Sequence, residues 1–83
     1  MGEVLEATTR DGIFRFDGEI LELFAMDGSQ RFHPRLLPEL WIDGDFLYMR
    51  RRDTTTLPWI FDEPQRAQLE VLVSSVAAVR GAG

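Results

Sequence analysis

The 83 residues contain no cysteine and no lysine, and only one histidine, His33. Without cysteine there is no disulfide, no thiolate metal site and no sulfur nucleophile. A chain of this length must hold itself together by packing alone, burying about 60–65% of the surface its unfolded form exposes. No apolar run approaches the ~20 residues of a membrane-spanning helix. The opening MGEVLEATTR lacks the basic start and apolar stretch of a signal peptide, and Leu5 and Glu6 do not complete the pattern for N-myristoylation. These absences lead to the expectation of a single cytoplasmic domain over residues 1–83.

Catalytic devices are equally sparse. A nucleophile needs a base and a group to orient that base, and only His33 could serve as the base. Ser74 and Ser75 stand outside any G-x-S-x-G elbow, Ser29 is the remaining serine, and no glycine-rich phosphate loop or dinucleotide fingerprint occurs. A zinc site would have to combine His33 with carboxylates alone, an uncommon ligand set. The expectation is therefore no enzyme, no metal and no cofactor. The remote alternative, a small hydrolase, would need an activity that disappears in His33→Ala.

The charge that is present is unevenly placed. Residues 1–28 hold seven acids against Arg10 and Arg15, which accounts for the whole net charge of −5; the seven acids and seven arginines of the remainder cancel. Nucleic-acid binders draw affinity from a basic surplus, which this chain lacks, so nucleic acid is not an expected partner. The exclusive use of arginine is what a GC-rich coding background produces without any functional choice.

Four Asp-Gly pairs (Asp11-Gly12, Asp17-Gly18, Asp27-Gly28 and Asp43-Gly44) separate short runs rich in β-branched and aromatic residues. Such pairs supply the turns of β-hairpins. None is followed by the spaced oxygen ligands and closing glutamate of an EF-hand calcium loop. Strands are expected over 3–10, 12–16, 19–26, 29–33, 38–42, 45–52 and 57–62. Residues 63–80 change period: Leu69, Leu72, Val73, Val76 and Ala77 make one apolar helical stripe. Asp62 and Gln65 have capping-box spacing, Pro64 suits the first turn, and Arg80 with Gly81 suits the end.

Placing each Asp-Gly pair at the centre of a two-residue turn sets Phe14 opposite Thr9 and Leu21, and Leu23 opposite Phe32. One face then gathers Leu5, Ala7, Phe14, Phe16, Leu21, Leu23, Ala25 and Phe32 as core. The other holds Glu6, Thr8, Arg15, Glu22, Arg31 and His33, with Val4, Ile13, Ile20 and Phe24 among them. The fold class that follows is mainly β with one C-terminal α-helix. Its seven strands form a strongly bent antiparallel sheet, or partly open barrel, that the helix caps.

RFHPRLLPELWIDGDFLYMRRRD (31–53) and WIFDEPQRAQLEVLVSSV (59–76) resemble the central hairpin and the last strand with capping helix of short bacterial pleckstrin-homology-like (PH-like) domains. The resemblance implies strands over about 3–62 and a capping helix over about 63–80. It also implies a cytoplasmic interaction module of bacterial type. An SH3-like small barrel with a helix is the alternative. The capping helix lacks the tryptophan usual in eukaryotic members. The first hairpin loop, TRDGIF, is not basic as it is in phosphoinositide binders, and the acidic sheet opposes anionic membranes. Protein or peptide, including a second copy of the chain, is the expected partner; an anionic-lipid or small anionic-ligand sensor is the alternative.

Two candidate sites follow. In the expected register Glu22 faces His33 and lies diagonal to Arg15 and Arg31, which reads either as a surface ion cluster or as a pH- or anion-sensitive spot. In WIDGDFLYMRRRD, Trp41 is expected opposite Phe46 and Leu40 opposite Leu47. One face then carries Leu40, Ile42, Leu47, Met49 and Arg51. The other carries Trp41, Phe46, Tyr48, Arg50 and Arg52. If the aliphatic face is core, the aromatic and arginine face is left open, with a composition common at recognition sites.

Overall fold

Short alternating runs give seven antiparallel strands: β1 (Leu5–Thr8), β2 (Gly12–Phe16), β3 (Leu21–Ala25), β4 (Gly28–Phe32), β5 (Glu39–Asp43), β6 (Phe46–Arg50) and β7 (Thr56–Ile60). A C-terminal helix, α1 (Arg66–Ala82), follows a 3-10 turn at Glu63–Gln65. The structure is a computed structural model and describes residues 4–26, 28–52 and 55–82. Residue 3, expected in the first strand, and Asp27, expected in the third turn, lie outside the described residues.

The strands do not form a single bent sheet. Hydrogen bonding divides them into a four-stranded sheet, β1-β2-β3-β4, and a three-stranded sheet, β5-β6-β7, which do not close into a barrel. Proline explains the division. Pro34 opens a 3-10 turn at Pro34–Leu36 and Pro38 precedes β5; neither has an N–H with which to continue a ladder. Leu37 and Pro38 instead sink into the core and carry the chain from one sheet to the other. The end of α1 holds this crossover, because Arg80 Nε donates to the Leu37 carbonyl at 3.1 Å.

Register differs from expectation by two residues in each of the four hairpins built on an Asp-Gly pair, in one direction or the other. Phe14 pairs with Ala7 and Leu23, Leu21 with Phe32, and Leu23 with Gln30. In the second hairpin Asp17 leads its turn rather than occupying the centre. Its Oδ1 accepts from Glu19 N–H at 2.9 Å and Ile20 N–H at 2.8 Å, and Gly18 takes the positive φ of 98°. In the first hairpin Gly12 belongs to the strand: Thr9 N–H donates to the Gly12 carbonyl at 2.9 Å, leaving Arg10 and Asp11 as the turn. A two-residue slip preserves every face, since side chains alternate with period two.

The expected core face is accordingly the observed one except at Ala25, which is only half-buried and lies outside the core cluster. Ala7, Phe14, Phe16, Leu21 and Leu23 are buried, and Leu5 and Phe32 pack against them. From the second sheet come Leu40, Leu47 and Met49, and from the helix Leu69, Leu72 and Val76. Burying these apolar surfaces drives the two sheets and the helix together. The stripe departs from expectation at its end, where Ala77 is exposed and Val79 packs inward. The helix begins as its sequence indicates: Asp62 N–H donates to Gln65 Oε1 at 2.8 Å, and Pro64 sits in the first turn. It does not stop at Gly81, which remains helical.

Candidate functional site

On the outer face of the four-stranded sheet, Glu6, Arg15, Glu22 and Arg31 stand opposite one another in that order across β1 to β4. Two ion pairs, Arg15–Glu6 and Arg31–Glu22, each close at 3.5 Å. Three of the four expected cluster residues are thus brought together. His33 is not. It has left the ladder for the residue before the 3-10 turn, with φ −72° and ψ 162°, and is exposed. The slip that makes Arg31 the partner of Glu22 is what removes it. Exposed pairs of this kind contribute little stability individually, about 0–1 kcal/mol, so the ladder chiefly supports register.

This ladder also divides the apolar residues of the outer face. Ile13 and Phe24 are direct cross-strand partners and exposed at 41% and 36%, with Met26 beyond them almost fully exposed. Ile20 is half-buried and lies on the far side of the charged row, so it does not join them. Among the described residues no group of three histidine or carboxylate side chains is placed to hold a metal ion. No helix among the described residues is long and apolar enough to cross a membrane.

The three-stranded sheet buries its aliphatic face. That leaves three rows on the outside: Asp43, Phe46 and Ile60; Trp41, Tyr48 and Pro58; Glu39, Arg50 and Thr56. Trp41 therefore faces Tyr48, not Phe46, and Leu40 faces Met49, not Leu47. The turn at Gly44 and Asp45, with Gly44 at a φ of 62°, sets this pairing. The indole and phenol rings stack with centroids 5.5 Å apart and 16° between planes, and Phe46 adjoins Tyr48 at 6.0 Å. Arg50 lies 5.7 Å from the centre of the Trp41 ring and is bonded to Glu39. Cross-strand stacking and cation–π attraction both stiffen this surface in the unbound protein.

Of the expected recognition residues, Trp41, Phe46, Tyr48 and Arg50 form one continuous strip. Arg52 stands at its end, past the last residue of β6, where a shallow recess is lined by Glu39, Arg50, Arg51, Arg52, Thr56 and Arg80. A larger recess of about 960 Å³ continues from it between Arg52 and Arg80 to Arg35, bordered by Pro34 and Ala77. Pro58, Arg35 and Arg80 also belong to this surface, beyond the residues expected there. Alternation could have placed Pro58 beside Tyr48 had the β6–β7 register been known. Nothing local brings Arg35 to Arg80. No family model, no curated protein and no solved structure matches the chain.

Proposed function

We propose that this protein is a non-catalytic interaction module of PH-like architecture that binds a protein or peptide on the outer face of β5–β7. The order of four strands, three strands and a C-terminal helix supports the PH-like reading. The binding reading rests on one observation: the row Trp41–Tyr48–Pro58, flanked by Phe46, lies outside a sheet whose opposite face already supplies the core. Rigid flat side chains offer large contact area at little conformational cost on binding. A random peptide library selected on the protein should yield binders that lose affinity for Trp41→Ala, with its circular dichroism unchanged. Failure to enrich any sequence, or equal binding to the variant, overturns the reading.

A second reading, self-association, is favoured by the exposed apolar group Ile13, Phe24 and Met26. It requires concentration-dependent sedimentation that Phe24→Glu abolishes. Sedimentation as a monomer at every concentration removes it.

A further inference from the structure

We infer that the arginine-lined recess beyond the aromatic row receives the carboxylates of an acidic peptide whose apolar residue lies on that row. The inference rests on the peptide-binding reading and names the partner's chemistry. Five of the nine arginines, Arg35, Arg50, Arg51, Arg52 and Arg80, border the two adjoining recesses. Among the described residues the only acid on their walls is Glu39, which is already bonded to Arg50. Arg35 and Arg52 make no ion pair or hydrogen bond among the described residues, and both are exposed. In a chain of net charge −5, Arg35 and Arg52 thus place two guanidinium groups without an acidic partner among the described residues on one corner.

Guanidinium groups bind carboxylates through paired N–H donors, so the chemistry that answers this corner is anionic. Its position selects which anion. The recess opens directly off the row Glu39–Arg50–Thr56, next to Trp41–Tyr48–Pro58. An extended peptide advances by about 3.3 Å per residue. An apolar side chain seated over Tyr48 therefore brings residues about two to four positions along to Arg50 and Arg52. A free phosphate compound would use the arginines and leave the aromatic row idle. A membrane or a polynucleotide presents a broad anionic surface that the acidic four-stranded sheet repels.

The test starts from peptides enriched by selection on the intact protein. Their sequences should pair an apolar residue with Asp or Glu two to four positions away. Replacing those acids by Asn or Gln should weaken binding about tenfold, since each exposed ion pair contributes up to about fivefold. The double variant Arg35→Glu, Arg52→Glu should lose the same factor for the acidic peptide and none for its amide version. Both positions are exposed and make no ion pair among the described residues, so the fold is not at stake. Raising salt should erase the difference between the two peptides. Trp41-dependent binders without an acidic preference overturn this inference and leave the peptide-binding reading standing. Absence of any Trp41-dependent binder overturns both. Arg35- and Arg52-dependent binding of tripolyphosphate or of phosphatidylserine vesicles, with no acidic preference among peptides, assigns the recess to another ligand and overturns the inference.

Discussion

Gly12 is a glycine whose role is space, and adding one methyl group there tests the packing between the two sheets. A Cβ built on Gly12 would sit 3.0 and 3.2 Å from the Trp59 ring and 3.3 Å from Leu23 Cδ1. Ordinary carbon–carbon contact lies near 3.5–4.0 Å. Trp59 has little room to withdraw, because its ring meets Phe14 edge-to-face at 5.6 Å and Phe14 is fully buried. Its buried Nε1–H has no hydrogen-bond partner among the described residues, so packing alone sets the position of the ring. Overpacking a tight site costs about 1–3 kcal/mol. Replacing glycine by alanine returns about 0.4–1 kcal/mol through the unfolded chain. Gly12→Ala should therefore lose about 1–2 kcal/mol, lowering the melting temperature by about 5–15 °C in a domain of this size. Gly81→Ala is the control: it lies in the helix with nothing within 4 Å of its added Cβ. That change should stabilise by up to about 0.5 kcal/mol. Thermal unfolding by circular dichroism reads both. Tryptophan fluorescence in a Trp41→Phe background isolates Trp59, since the chain has two tryptophans. A Gly12→Ala protein as stable as its parent would show that Trp59 yields freely and that the close approach carries no energy.

Leu72, fully buried at the centre of the helical stripe, should cost about 2–5 kcal/mol as Leu72→Ala, read from the urea midpoint. A loss below about 1 kcal/mol would place the helix outside the cooperative core. Acid stability should follow Asp62 and Asp17. The hydrogen bond from Arg10 holds the Asp62 carboxyl below its ordinary range, and Ile20 and Glu19 N–H groups do the same for Asp17. A carboxyl whose folded pKa is depressed stabilises above its unfolded value, and that contribution is lost as pH falls through the folded value. The melting temperature should thus decline below about pH 4. A double variant, Asp17→Asn with Asp62→Asn, should melt lower at neutral pH and decline less on acidification; parallel curves for the two proteins would refute the assignment.

Period and punctuation in the chain determined much of this molecule. Alternating residues selected the buried face of the first sheet, and the 3.6-residue stripe with its capping box determined the helix. Those features survive a two-residue slip, because every face repeats at that interval. Register itself lay beyond the sequence. An Asp-Gly pair can lead, centre or follow a turn, and packing chose differently for Asp17-Gly18 and Asp11-Gly12. Tertiary structure also decided which face of β5–β6 was core, since Leu40, Leu47 and Met49 joined the buried cluster while Trp41 and Tyr48 did not. It removed His33 from the ion ladder by ending β4 at Phe32. Arg35 joined Arg52 and Arg80 only because the crossover turn, the end of β6 and the last turn of the helix converge at one corner. No periodicity along a chain encodes that meeting.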